Sequence, residues 1–129
     1  MILSPAHLAA RAAAARIAAA HASLSLLAGG AGRVEVLDAA DAILAIALIP
    51  AVAGAVDDAL VRIVLATPCE GVVVAAGTPA SARIRAGSGG VWAEGLTVSD
   101  QAGAGELQLD TLELLPGRLL RILSAEIQG

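Results

Sequence analysis

Few side chains in this sequence have the types or the spacing to do chemistry. His7 and His21 are its imidazoles, Cys69 is its thiol and Trp92 its one aromatic ring, while Phe, Tyr and Lys do not occur. The two histidines stand fourteen residues apart, about 21 Å along a straight helix, and so cannot share a metal within one chain. One Cys and two His cannot build a zinc framework, and a lone Cys excludes an intramolecular disulfide. Cys69 is read as a small buried hydrophobe. A Ser, His and acid arrangement requires an imidazole on the folded body, whereas both lie in the N-terminal stretch.

Asp38 with Asp41, and Asp57 with Asp58, have the carboxylates of a calcium site but not the one-in-two spacing of a calcium loop, so they are read as turn acids and caps. The glycines at 29, 30 and 32, and at 87, 89 and 90, are not followed by the Lys and Ser or Thr of a phosphate cradle. They are read as turns and a helix stop. Trp92 is assigned to core filling rather than to stacking on a sugar or base. No catalytic residue, metal ligand or cofactor site is expected, and the chain is read as a non-enzyme.

Composition points the same way. The 129 residues are 57% apolar, and the apolar mass is almost all Ala, Val, Leu and Ile. The formal charge of -4 is unevenly placed: three arginines and no carboxylates occur through Arg33, and all twelve acids lie from Glu35 to Glu126. An acidic body with arginines at 62, 83, 85, 118 and 121 does not supply an obvious basic face, so no nucleic-acid partner is expected. Arg11, Arg16, His7 and His21 interrupt every apolar run of the N-terminal stretch. Neither a secretory leader nor a membrane span is therefore expected there.

Two structural grammars follow one another along the chain. Ser4 and Pro5 make an N-cap and a first helical residue, and the Ala run continues to a stop at Gly29 and Gly30, predicting a helix near residues 5 to 28. After Gly32 the period falls to two. Val34 and Val36 alternate with Arg33 and Glu35, and Ala42 to Ile49 is an apolar run stopped by Pro50. Strands are expected at Leu60 to Ala66 and Gly71 to Ala76. Ser81 to Ala86 and Val91 to Val98 read as a hairpin around the glycines at 87 to 90, with a bulge near Gly95. Leu107 and Leu109 change phase at Asp110 and Thr111, and a final strand runs from Arg118 to Ile127.

The expected fold is mainly β: an antiparallel β-sandwich, immunoglobulin-like or jelly-roll-like, of seven or eight strands over residues 30–129, preceded by a helical arm over residues 1–29. The stretch from 42 to 59 admits strand, loop or short helix.

From Gly77 onward the sequence carries Gly77, Thr78, Pro79, Ala80, then Ala82, Arg83, Ile84, the glycine hairpin, Val91, Gly95, Val98, Ala102, Gly103, Ala104, Glu106, Leu107, Gln108, Leu109, and Leu115, Pro116, Gly117 before the closing strand. This text resembles a family of small tailed-phage and prophage virion proteins. In that family a "G-T-A, aromatic, R-I" strand leads through a hairpin to "G-x-V", "G-A-D-L-x-L" and a "G-x-x-V" final strand. Ala82 stands where the family usually has the aromatic. The resemblance implies a virion structural protein with no catalytic site, placed at the tail tip or otherwise on the tail, or as a capsid decoration or head-tail connector. Its partners would be other copies of itself and other virion proteins.

A soluble ligand- or receptor-binding β-sandwich module is the contrasting expectation, and it requires an exposed aromatic or acidic pocket. The apolar surplus lies in the arm, the Ala42 to Ile49 run and the last strand. Leu8, Ile17, Leu24, Leu27, Ile43, Ile46, Leu120 and Ile122 are accordingly the expected assembly positions.

Overall fold

The computed structural model describes residues 2, 4–27, 32–50, 53–57, 59, 62–65 and 67–128. The chain opens with helix α1 (Pro5–Ser25). Ser4 is the N-cap, its Oγ accepting from the His7 amide at 3.2 Å, and Pro5 fills the first helical position. The helix ends earlier than its sequence suggests, where the Leu26 and Leu27 amides bond back to Ser23 and Leu24. The expected stop at Gly29 and Gly30, and Ala28 before it, lie outside the described residues.

Ala13, Ile17, Ala20, Leu24 and Leu27 recur at spacings of three and four and are the apolar residues of the arm that turn toward the body. Ala20 and Leu27 join its core. From Pro5 to Ala12 every residue is exposed, so the first two turns project clear of the rest.

Ten strands follow among the described residues: β1 (Arg33–Leu37), β2 (Ile43–Leu48), β3 (Gly54–Asp57), β4 (Arg62–Leu65), β5 (Cys69–Val73), β6 (Ser81–Arg85), β7 (Val91–Leu96), β8 (Val98–Asp100), β9 (Leu107–Leu109) and β10 (Leu119–Gln128). The mainly β class and the single leading helix agree with the sequence. The stretch left open at 42 to 59 resolves into β2 and β3. Of the strand expected at Leu60 to Ala66, Arg62 to Leu65 is described, while Leu60, Val61 and Ala66 lie outside the described residues.

The strands form one curled sheet in the order β3-β4-β10-β5-β2-β1-β6-β7, with β8 and β9 off that path. β10 organises it. Its first residues pair with β5, from Leu119 opposite Val72 to Ile122 opposite Cys69, and its last three pair with β4. Ile122, Ser124 and Ala125 pair with β9 as well. One strand thus joins the β3–β4 pair and the β8–β9 pair to the rest of the sheet, in a sandwich-like wrap around a shared core. A strand with apolar residues on both faces, Leu119, Leu120, Ile122 and Leu123 among them, suits that place.

Among the described residues the pairings are antiparallel with one exception. β8 and β9 run parallel, Val98 opposite Leu107 and Asp100 opposite Leu109. Their connection turns back against Ser99, whose Oγ accepts from the Gly105 amide at 2.9 Å. The close return, not a crossover helix, allows this pair.

Alternation fills the core. Val34, Val36, Ala45, Ala47, Ala82, Ile84, Leu120 and Ile122 are essentially inaccessible to solvent. Their neighbours along each strand face the other way. Trp92 packs against the core as expected but at its rim: on edge strand β7 it is half-buried, and its indole Nε1 donates to the Ser23 carbonyl at 2.8 Å. The ring thereby fastens the end of the arm to the sheet while still packing on the core.

Among the described glycines, Gly71 leaves the least room for a side chain. A Cβ there would lie 1.9 Å from the Ile46 carbonyl oxygen and 2.5 Å from the Ala47 Cα. Those atoms are backbone and cannot swing aside. Gly71→Ala is expected to cost about 3 kcal/mol or more in urea unfolding. Gly90→Ala, whose new atom would meet nothing nearer than Ser88 Oγ at 3.7 Å, is expected to stay within about 0.5 kcal/mol of the parent.

Candidate functional site

The chemistry-bearing residues singled out in the sequence are scattered or already engaged. His7 and His21 both lie on α1 and are exposed. Cys69 is buried in the core, and burial pushes its thiol above the usual range. Asp38 Oδ1 accepts from the Ala40 and Ala42 amides at 2.8 and 2.9 Å, closing the β1–β2 turn. Asp57 Oδ1 accepts from Ala59, and Asp58 lies outside the described residues. Among the described residues no three His, Cys, Asp or Glu side chains are grouped closely enough to hold a metal ion. No described helix is long and apolar enough to cross a membrane.

The structure assembles instead a charge cluster that strand-by-strand reading did not join. Glu35, in the middle of β1, is 2% exposed and is the one buried charged residue among those described. It sits directly opposite Arg83 of β6, and Arg33 sits opposite Arg85. All four occupy the outward phase of their strands, because Val34, Ile84, Val36 and Ala82 take the inward one.

Each arginine reaches Glu35 through Nε: Arg33 to Oε2 at 3.2 Å, Arg85 to Oε1 at 2.9 Å, and Arg83 also to Oε1. Arg85 sends Nη1 on to the Gly89 carbonyl at 2.9 Å, which ties the β6–β7 turn into the cluster. Burial alone would raise the carboxyl pKa, but the three guanidinium groups outweigh that and hold it below the ordinary glutamate value. The signal was present in the sequence as two alternating strands with charged outward phases, Arg33 and Glu35 in one and Arg83 and Arg85 in the other.

The same sheet face continues as an apolar strip. Register places Leu119, Val72, Ile46, Glu35 and Arg83 side by side across β10, β5, β2, β1 and β6. One step along the strands, Leu48 faces Arg33. Ile46, Leu48, Val72, Val74 and Leu119 line a shallow hollow of about 310 Å³. Leu48 is 65% exposed and Leu119 71%. The hollow is bordered by Glu70, which pairs with Arg121 at 3.1 Å.

A second, polar hollow of about 260 Å³ is lined by Arg62, Glu106 and Glu126. Arg62 pairs there with Glu126, its Nε buried without a hydrogen-bond partner among the described residues. Glu106 accepts from the Thr97 amide and hydroxyl. Neither hollow sets a nucleophile beside a base among the described residues: the first is apolar, and the second holds an ion pair.

The expected assembly positions divide into two groups. Leu8 is exposed on the projecting half of the arm, and Ile17, Leu24, Ile43 and Ile46 are half-buried. Leu27, Leu120 and Ile122 lie inside the chain's own core at 1% exposure or less, which corrects their placement on a surface. In β10 the pairing with β5 puts Leu120 inward and turns Leu119 out. The outward apolar positions are thus Leu48, Val72, Val74 and Leu119, which periodicity alone did not separate from their inward neighbours.

Comparison with protein-family models, with curated proteins and with solved structures returned no match.

Replacing Glu35 by Gln leaves three guanidinium groups around a neutral amide. Glu35→Gln is expected to lose about 2–3 kcal/mol at neutral pH by urea or thermal unfolding, a value reduced from fully buried pairs because the arginines are partly exposed. Because the carboxyl pKa is lowered on folding, its contribution is complete above the unfolded glutamate value of about 4.3 and is lost as pH falls through the lower folded value. The difference between parent and Glu35→Gln stability should therefore shrink as the solution is taken below about pH 4, and a gap that widens on acidification contradicts the assignment.

Proposed function

We propose that this chain is a non-enzymatic structural component of a tailed-bacteriophage virion, tail-tip or tail-associated, that assembles through apolar surfaces with copies of itself and with other virion proteins. The observation that carries the assembly part of this reading is the sheet face on which Leu48, Val72, Val74 and Leu119 stand exposed together. Contiguous apolar side chains on a protein surface mark interaction sites, and a repeated subunit covers them in its neighbours. The half-free arm adds a second unpartnered surface, since a short helix without tertiary contacts is marginal in water.

The virion part rests on the resemblance between Gly77 and Ile127, a span that covers β6 to β10. The reactive side chains bear on the non-enzymatic part. Asp38 and Asp57 have turn duties and Glu35 and Glu126 ion-pair duties, and both histidines stand on the arm.

Quantitative mass spectrometry of particles purified from a lysate of the natural host tests this function. The chain is expected among the particle proteins in fixed ratio to the tail components. Its absence from purified particles, with the chain abundant in the unassembled fraction, overturns the virion reading.

A further inference from the structure

We propose that the outward face of the sheet is one half of a head-to-tail contact between copies, and that the other half is the β9–β10 connection, Asp110 to Leu115, of a second copy. The inference rests on the assembly reading above and names its partner surface.

The face is apolar at one end and cationic at the other. Arg33 and Arg83 meet Glu35 through Nε alone. Their Nη groups make no hydrogen bond to another described residue, and Arg33 directly faces Leu48 across the β1–β2 pair. Three guanidinium groups around one carboxylate leave an excess of two positive charges beside the strip. Asp41 and Glu94 share a hollow with Arg83 that Arg33 does not line, and Glu70 beside the strip is paired with Arg121. An occupant must therefore bring apolar side chains and carboxylates together.

The arm of another copy lacks that chemistry. It carries Arg11 and Arg16 and no carboxylate, so like charge opposes its docking beside Arg33. The body of another copy has it. Outside the arm and the Glu35 cluster the sequence has three arginines and eleven carboxylates. Among the described residues of that acidic body, the exposed large apolar ones apart from those of the strip itself are Val91, Leu112 and Leu115. Two of these flank the exposed Glu113, with Asp110 also exposed nearby.

The connection thus offers two leucines to the strip and Glu113 to the free edge of Arg33. Because the two halves are different surfaces, the contact is heterologous. Such contacts close into rings or continue as tubes according to the rotation between copies.

Sedimentation of full-length chains tests it. One variant spoils the face (Leu48→Asp with Leu119→Asp), and the other spoils the connection (Leu112→Ser with Glu113→Arg). All four positions are exposed, and circular dichroism together with Trp92 emission reports that each variant is folded. The wild-type chain is expected to sediment as an oligomer at micromolar concentration and each variant alone as a monomer. An equal mixture of the two variants is expected to give a dimer and nothing larger, because one intact half survives on each.

Leu48→Ala, a milder change, is expected to weaken association about tenfold. A monomeric wild-type chain overturns the proposal. So does either variant keeping the wild-type oligomer, which leaves assembly through another surface in place. A mixture that stays monomeric overturns the head-to-tail arrangement. The presence of the chain in particles is read separately, so failure of this contact does not decide the virion reading.

Discussion

The outward face of this protein depends on the register of β1 against its two neighbours. With Glu35 opposite both Arg83 and Ile46, Val34, Val36, Ala82 and Ile84 point into the core and three arginines point out. A slip of one residue would exchange the two sets, burying guanidinium groups and exposing valines. The Glu35 cluster resists that slip from the polar side as the core resists it from the apolar side. Removing the carboxylate from water is costly, and the arginines across the strand pair offset the cost only in this register. The apolar strip is a consequence: once the inward phase is settled, Ile46, Leu48, Val72 and Leu119 have nowhere to go but outward.

The same balance explains why so aromatic-poor a chain holds together. Small side chains let strands and backbone approach closely, and Gly71 is the extreme case. Ala45 and Ala47 line the inward side of β2 with little bulk, while Leu44, Leu65, Leu107, Leu109, Leu120 and Ile122 supply volume around them. β10 gathers these contributions by pairing with β4, β5 and β9. Trp92 does a different job at the rim, fastening the arm through the Ser23 carbonyl. Beyond that anchorage the arm projects, so its last turns share the core and its first turns do not.

Much of the fold was legible because strict alternation in Arg33 to Leu37 and Ser81 to Arg85 leaves little freedom in which face is buried. The helix was legible from Ser4, Pro5 and the Ala run. β3 was not, because four residues with mixed burial give too short a pattern to set a phase. The parallel β8–β9 pair was hidden by its connection, which is shorter than parallel strands normally use. In β2 and β10 the apolar residues fall on both faces, so which leucine faces out depends on partners distant in sequence. That is why Leu120 and Ile122 stood as surface positions until the pairing with β5 placed them inside. The Glu35 cluster was readable in type but not in contact, since residues 33 and 35 meet 83 and 85 only through tertiary pairing.

The central claim is that the surface beside Glu35 is where one copy meets the β9–β10 connection of the next. Disulfide trapping between Leu48→Cys and Leu112→Cys chains, each made with the buried Cys69 retained, tests it most directly. Mixing the two under mild oxidation is expected to give a disulfide-linked pair containing one chain of each kind, formed faster than either self-linked pair. Linkage confined to Leu48→Cys with itself, or no linkage beyond that of the parent chain, contradicts the claim.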